Sequence, residues 1–177
     1  QQTQNPTLAL LSDYLAGAPG NPPLHLLSDS NGSIKTIVIR GLDPDPMVAT
    51  SQYIAQSRLK DLKKGIQILK DITDVQDIIL ITAGESVQGY GHIGAQVKSV
   101  KAVYPAALPH MVMKDVLGRV VPAGKTCEDL GVCFFTAEAV ISIGNAFETG
   151  RIPTLKTLTF IRKDGTPHIV ETPIGTP

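Results

Sequence analysis

Apolar positions along the chain form runs and stripes that predict alternating strands and helices. Continuous apolar runs in residues 34–40, "IKTIVIR", and 76–83, "QDIILITA", predict two strands that are covered on both faces. Between them, apolar residues recur every three or four positions and predict one long helix over residues 52–72. Its buried stripe is predicted to comprise Leu59, Leu62, Ile66, Leu69 and Ile72. Alternating residues 97–103, "VKSVKAV", predict a half-exposed strand.

Shorter elements are predicted towards both ends of the chain. Residues 6–16 predict a helix that Asn5 can cap, because asparagine side chains accept hydrogen bonds from first-turn amides. Residues 106–118 predict a short helix, and residues 136–150 predict a longer one that stops at its final glycine. The apolar segment 131–135, "GVCFF", fits either a short strand or a buried loop.

Glycine and proline divide the chain further and define its fold class. Residues 17–27, "GAPGNPPLHLL", are predicted to lack regular structure. Asp164 and Gly165 stand between two strand-like runs and predict a hairpin. The order of strands and helices predicts an α/β fold, a layered Rossmann-like domain with a largely parallel sheet and a C-terminal antiparallel hairpin. No linker interrupts residues 1–177, so a single domain is expected.

Composition narrows the classes of function. The chain is 42% hydrophobic and 18% charged, which is typical of a globular protein. Sixteen Lys and Arg balance sixteen Asp and Glu, so no net field attracts nucleic acid. No apolar run approaches the roughly 20 residues that span a bilayer, so direct membrane insertion is not expected. The first residues resemble no signal peptide and lack an initiator Met, which favours a processed or excised fragment.

The cysteines and histidines do not have the spacing of metal ligands. Cys127 and Cys133 are not arranged as a zinc or redox pair, and Cys133 lies in an apolar segment. The four histidines are scattered along the chain. We therefore expect inert thiols in a reducing compartment, with Cys133 buried, and no metal site.

A proline-rich acidic loop follows the first predicted strand. In open parallel sheets, ligands bind beyond the carboxyl ends of strands, which is where residues 41–46, "GLDPDP", are expected. Asp43 and Asp45 are thus candidates to accept hydrogen bonds from a ligand. The prolines fix the local backbone, so the alternative hypothesis is a stiff turn without a ligand.

Two glycine-rich segments are candidate phosphate sites. Residues 89–94, "GYGHIG", match a dinucleotide-binding glycine pattern, but a strand is predicted after them rather than a helix, so we interpret them as a connection. Residues 15–23, "LAGAPGNPP", could form a phosphate cradle around Gly17 and Gly20. A cradle works through backbone N–H groups, and the prolines in this loop have none. Tight phosphate binding is therefore not expected there.

Several segments together resemble a known family. They are "IVIRGLDPDPMVAT" (37–50), "VYPAALPHMVMKDVLGRVVP" (103–122), "TAEAVISIGNAFETG" (136–150) and "PIGTP" (173–177). In this order they resemble the flavin- and NADH-binding domain of the RnfC-type and NqrA-type subunits of bacterial ion-pumping NADH oxidoreductases. The resemblance implies FMN and NADH as cofactors, and other subunits of a membrane redox complex as partners. It places the cofactor contacts at Gly17, Gly20, Asp43, Asp45 and Thr136.

The chain departs from that family where the cofactor would bind. The glycine-rich flavin loop of RnfC-type subunits corresponds to "LAGAPGNPP", and their acidic E-C-E-P motif corresponds to residues 43–46. Their asparagine-rich stretch near the flavin phosphate corresponds to residues 132–136. The resemblance therefore implies a degraded flavin and NADH site.

Three functions remain open from the sequence. The first is a domain of a membrane-associated NADH:acceptor electron-transfer complex with quinone or ferredoxin as acceptor, held at the cytoplasmic side of the inner membrane by partner subunits. The second is a non-catalytic scaffold or docking domain that kept the fold and lost the cofactor. The third is a quinone-facing site at the apolar "VCFF" and "PAALP" segments.

Overall fold

The computed structural model describes residues 6–29, 33–84 and 89–177. The strands are β1 (Thr36–Arg40), β2 (Asp77–Ala83), β3 (Gln96–Val100), β4 (Val132–Thr136), β5 (Leu155–Ile161) and β6 (Pro167–Pro173). The α-helices are α1 (Pro6–Leu15), α2 (Leu24–Asp29), α3 (Thr50–Ser57), α4 (Leu59–Ile72), α5 (Pro109–Asp115) and α6 (Ala137–Thr149). The order of these elements confirms the predicted α/β fold class.

The four strands β1 to β4 form one parallel sheet. Their order is β3-β2-β1-β4, so β1 lies in the middle. Ile37, Val38 and Ile39 have no exposed surface. Ile37 and Ile39 belong to the cluster that includes side chains of α4 and α6, whereas Val38 belongs to the cluster that includes α5. Both faces of β1 are covered, as its uninterrupted apolar run predicted.

Helices α4 and α6 pack against each other through glycine. A Cβ added at Gly65 would overlap the backbone carbonyl of Val140, and a Cβ added at Gly144 would lie 3.0 Å from the Gly65 amide nitrogen. The close approach brings Leu62 and Ile66, which have no exposed surface, into the core. The predicted stripe of α4 is confirmed in its centre, while Leu59 and Ile72 at the ends are only partly buried.

The single long helix predicted over residues 52–72 is wrong. Two helices, α3 and α4, meet at Arg58, whose φ of −118° and ψ of 41° interrupt the helical path. The hydrogen bonds on either side continue, because the Arg58 amide donates to Ile54 and its carbonyl accepts from Leu62. The break gives α3 its own direction, so that it contacts both α6 and β5. Apolar periodicity alone did not indicate this change of direction.

The prediction that residues 17–27 lack regular structure is wrong at its end. Helix α2 begins at Leu24, directly after Pro22 and Pro23. Proline suits the position just before or at the first turn of a helix, where its missing N–H is not needed. Leu24 and Leu27 are buried, so packing stabilises this short helix. Gly20 and Asn21 before it have positive φ values of 78° and 45°.

The remaining predicted elements are present, with small changes of length except at α5, which has 7 residues within the predicted 106–118. Helix α1 ends at Leu15, and Asn5, its predicted cap, lies outside the described residues. Helix α5 and strand β3 are shorter than predicted. Segment 131–135 contributes a strand, β4, rather than a loop. The glycine pattern at residues 89–94 leads into β3, so it does not open a helix.

The C-terminal hairpin is confirmed as a separate two-stranded antiparallel sheet. Leu158 of β5 pairs with Val170 of β6. The turn contains Gly165 with φ of +82°, and its amide donates to the Arg162 carbonyl at 2.9 Å. The Asp164 carboxylate accepts a hydrogen bond from the Thr166 amide at 2.9 Å. This turn chemistry explains why aspartate and glycine predicted the hairpin.

Candidate functional site

A cavity of about 520 Å³ lies beyond the carboxyl ends of β1 and β4. We call it the strand-end cavity. Its walls come from residues 18–21, the loop and helix start at residues 43–51, the first turn of α6, and strand β5. Its position agrees with the expectation that ligands of parallel sheets bind beyond the strand ends.

The structure brings together three of the five predicted site residues. Gly20, Asp43 and Thr136 line the strand-end cavity. Gly17 is exposed, and a Cβ added there would meet no atom within 4 Å. Asp45 is also exposed and is not among the lining residues. The roles of these five residues in cofactor binding stay predictions.

The Asp43 carboxylate holds the start of α3. It accepts hydrogen bonds from the Ser51 amide at 2.6 Å and from the Ser51 hydroxyl at 2.8 Å. Ala49 at the helix start makes no side-chain cap, so Asp43 supplies the acceptor from outside the helix. Burial raises the pKa of Asp43, and the hydrogen bonds from Ser51 oppose that rise. Asp43 is thus both a structural acceptor and a wall of the cavity.

Asp45 has a different role from Asp43. Its carboxylate accepts a hydrogen bond from the Met47 amide at 2.9 Å, and its carbonyl accepts from the Val48 amide at 3.1 Å. Such short-range bonds are typical of aspartate in turns. The two aspartates of the acidic loop therefore differ, because Asp43 faces the cavity and Asp45 stabilises a turn.

The first turn of α6 is covered by the chain itself. The Thr136 hydroxyl caps the helix by accepting from the Ala139 amide at 3.1 Å, and it lies 3.4 Å from the Gly20 carbonyl. A Cβ at Gly20 would overlap the backbone of Ala139. The positive φ and this close approach together explain why glycine stands at position 20.

Arg40 is the last residue of β1, and its charge interacts with that of Asp43. Its Nε atom is buried and has no hydrogen-bond partner among the described residues. Burial lowers the pKa of Arg40, while the negative charge of Asp43 raises it. The guanidinium of Arg40 therefore partly balances the negative charge of Asp43.

Glu138 joins the hairpin to the core. Its carboxylate accepts a hydrogen bond from the Thr157 amide at 2.9 Å, and its other oxygen lies 2.6 Å from Lys156 Nζ. Glu138 is 9% exposed and Thr157 only 3%. These contacts, which we call the Glu138 latch, place β5 against the first turn of α6. The sequence did not predict them, because no local pattern indicates where a hairpin will dock.

A second set of polar contacts holds the middle of β5. Thr159 Oγ1 accepts a hydrogen bond from the Ala49 amide at 3.0 Å and lies 2.8 Å from Thr50 Oγ1. The hairpin thus spans from α6 to the start of α3. It closes one side of the strand-end cavity with Lys156, Thr157 and Leu158.

Of the two apolar segments considered for a quinone, "VCFF" belongs mostly to the core, whereas "PAALP" buries only Ala107. Cys133 and Phe135 have no exposed surface, and Ala107 is 3% exposed. Burial raises the pKa of the Cys133 thiol to about 12, and burial also raises that of Cys127. The two thiols are unpaired and buried, and the burial of Cys133 was predicted.

The described residues contain neither a cluster of metal ligands nor a membrane-spanning helix. Within residues 6–29, 33–84 and 89–177, no three His, Cys, Asp or Glu side chains come together as a possible metal site. None of the helices in the same ranges has the length and apolar character required to cross a membrane.

Comparison with known proteins identifies the family. Residues 22–152, well over half of the chain, match the family model described as the NqrA second alpha/beta domain. The chain belongs to this family. The match ends just before β5, so the hairpin lies outside the matched residues.

Curated relatives come from two kinds of complex. The chain is 25% identical over 172 residues to the A subunit of the Na(+)-translocating NADH-quinone reductase of Pseudomonas aeruginosa, covering 94% of this chain and 36% of that protein. It is 21% identical over 134 residues to the C subunit of the ion-translocating oxidoreductase complex of Buchnera aphidicola from Acyrthosiphon pisum, covering 71% and 28%. It is 22% identical over 153 residues to the corresponding C subunit of P. aeruginosa, covering 81% and 20%. The chain therefore spans little more than a third of these relatives at most. The predicted resemblance to RnfC-type and NqrA-type subunits is confirmed.

Proposed function

We propose that this chain is a peripheral domain of a membrane-associated NADH:acceptor electron-transfer complex, with a flavin and NADH site that has lost its phosphate contacts. Family membership supports the first part, because the relatives are subunits of ion-translocating oxidoreductases. The loss of the phosphate contacts is supported by one observation. Gly20 and Thr136 contact the first turn of α6, where a phosphate would have to bind. Partner subunits would hold the domain at the membrane, on its cytoplasmic side.

The lost phosphate contact is argued from the residues that would have to make it. A helix N-terminus binds phosphate through free amides that point at the ligand. Here the Ala139 amide already donates to Thr136, and Gly20 lies so close that a Cβ built on it would overlap the Ala139 backbone. Pro19, Pro22 and Pro23 provide no N–H in the preceding loop. The residues present therefore do not fit the phosphate of FMN or of NADH.

A flavin titration tests this part of the proposal. Purified chain is titrated with FMN while flavin fluorescence is followed, with heat-denatured chain as the baseline for non-specific quenching. We expect no saturable quenching in the micromolar range. Saturable micromolar quenching would contradict the loss of the phosphate contacts.

A second candidate function is a non-catalytic docking domain, and the hairpin favours it. Leu158, Phe160 and Val170 share one face of the hairpin and are 39%, 57% and 39% exposed. Adjacent apolar side chains that remain exposed are typical of surfaces that bind another protein. The partner would be a different subunit of the redox complex.

The free edge of β6 is not suited to adding a strand. The Thr157 amide points towards α6, so Thr157 and Glu171 form a pair without mutual hydrogen bonds. Along β6 the same alternation directs the backbone N–H and C=O groups of every second residue towards the outer edge of the hairpin. These residues are Pro167, Ile169, Glu171 and Pro173. The two prolines donate nothing, so few donors remain for another strand. A partner would therefore pack on the apolar face.

Affinity purification tests the docking function. Tagged chain is recovered from native membranes, and co-purifying redox subunits are identified. Phe160→Ser should reduce their recovery without lowering the melting temperature, because Phe160 is mostly exposed. Val120→Ser is the matched control, since Val120 is 72% exposed and lies outside the hairpin. Equal recovery with both variants would argue against the hairpin face as the docking surface.

A further inference from the structure

We infer that the strand-end cavity takes an uncharged ring compound that donates hydrogen bonds, and that it excludes the phosphate ester of the same compound. This inference rests on the proposed function, because it begins from a first turn of α6 that the chain itself covers. It goes further by stating that the ligand is uncharged and that Asp43 discriminates against its phosphate ester.

The charges around the cavity oppose an anion. Its charged lining residues are Asp43, Glu138 and Lys156, which sum to a net charge of −1. Lys156 Nζ is bound to Glu138 at 2.6 Å, and Arg40 is the cation that Asp43 already faces. Among the described lining residues, no cation is left for a phosphate group. Arg40 would bring the sum to zero, but it does not line the cavity. A phosphate there would therefore meet the Asp43 carboxylate without an unpaired cation among the described lining residues.

Asp43 supplies the acceptor for an uncharged ligand. A carboxylate offers about four lone-pair sites, and Ser51 occupies one on each oxygen, with a further backbone bond from Gln52. The carboxylate is partly removed from water, so a further donor from a ligand would offset some of the lost hydration. A ligand with a hydroxyl or ring N–H group meets this need, whereas a ligand with only acceptors does not.

The rest of the lining favours an apolar ring. Val48, Leu158 and Ile174 face the cavity together with Ala18 and Pro19. Small-molecule sites combine mainly apolar walls with a few polar groups that orient the ligand. The volume of about 520 Å³ is large enough for a fused ring system with a short polar chain.

Riboflavin and FMN form a matched pair of probes, because they differ only in the terminal phosphate. Each is titrated into the purified full chain at low ionic strength while flavin fluorescence is measured. We expect saturable binding of riboflavin that is roughly tenfold or more tighter than binding of FMN. Added salt should narrow this difference, because it screens the repulsion of the phosphate.

Two aspartate variants test whether Asp43 causes the preference for riboflavin over FMN. Asp43→Asn should weaken riboflavin binding and reduce the ratio between the two affinities, since the repelling charge is gone. Asp45→Asn is the control and should change neither affinity, because Asp45 does not line the cavity. If Asp43 only supported the loop, Asp43→Asn would lower the affinities for riboflavin and FMN by the same factor. That result would overturn the claim that Asp43 causes the selectivity.

The outcomes separate this inference from the proposed function. FMN binding equal to or tighter than riboflavin binding overturns the inference. Absence of saturable riboflavin binding also overturns it, while the loss of phosphate contacts still stands. Micromolar FMN binding with much tighter riboflavin binding supports the inference and contradicts the loss of FMN binding.

Discussion

The parallel sheet and the C-terminal hairpin are held in place by different forces. In the sheet, β1 is buried on both faces, and Ile37, Val38 and Ile39 have no exposed surface. In the hairpin, Leu155 and Phe160 are both 57% exposed, and the contacts with the core include the hydrogen bonds of Glu138 and Thr159. Apolar burial stabilises the first region, whereas a small number of polar contacts orient the second.

This difference has consequences for stability and for function. Burial of a large aliphatic side chain contributes about 1.5–3 kcal/mol, whereas a typical hydrogen bond contributes only about 1 kcal/mol net. Two-stranded hairpins are also marginally stable by themselves. The hairpin should therefore open more easily than the sheet. Since β5 forms one wall of the strand-end cavity, its opening would also change access to the cavity.

The largest effect should come from breaking the core at the α4–α6 contact. Gly65→Ala forces a methyl group into the Val140 carbonyl, and neither helix backbone can move freely. We expect a loss of about 3 kcal/mol or more in the free energy of unfolding, measured by denaturant titration. Gly17→Ala is the control, because space around Gly17 is open, and it should change stability by less than about 0.5 kcal/mol. Similar stabilities of the two variants would contradict the close packing.

The next effect concerns the thiol of Cys133 in the core. Its pKa is about 12 in the folded protein and 9.0 for an ordinary cysteine thiol, so the folded state keeps the proton longer. The contribution to stability is complete below pH 9 and is lost as pH rises towards 12. Over that interval the unfolding free energy should fall by about 1.4 kcal/mol per pH unit more than in Cys133→Ala.

Denaturant titrations at several pH values between about 9 and 11 check the Cys133 prediction. The comparison of slopes cancels the titration of lysines and tyrosines, which both proteins share. Parallel pH profiles of the wild type and Cys133→Ala would show that water reaches the thiol. The burial of β4 on both faces would then have to be revised.

The smallest effect should come from the Glu138 latch. Glu138→Ala leaves the Thr157 amide without its acceptor, so exchange of this amide with solvent deuterium should accelerate on the order of tenfold or more. Glu148→Ala is the matched control on the same helix, because Glu148 is also paired with a lysine but is exposed. It should leave Thr157 exchange unchanged. Equal effects of the two variants would mean that the hairpin is held by other contacts.

The candidate site could be predicted only in part. Asp43 follows β1, and the rule for parallel sheets places such a residue at the edge where ligands bind. Gly20 and Thr136 entered through the resemblance to the flavin-binding family, and both reach the cavity. Glu138, Lys156 and Leu158 were missed as lining residues, since the hairpin approaches α6 through a connection whose direction leaves no pattern in the sequence.

The sequence by itself determined the parallel strands, helix α6 and the hairpin, because these follow from local periodicity, capping and turn chemistry. It left the extent of the domain over residues 1–177 as a prediction. Tertiary structure alone decided the break at Arg58, the start of α2 after Pro23, and the docking of β5 on Glu138. These features depend on which surfaces meet, and that is decided by the packing of segments far apart in the chain.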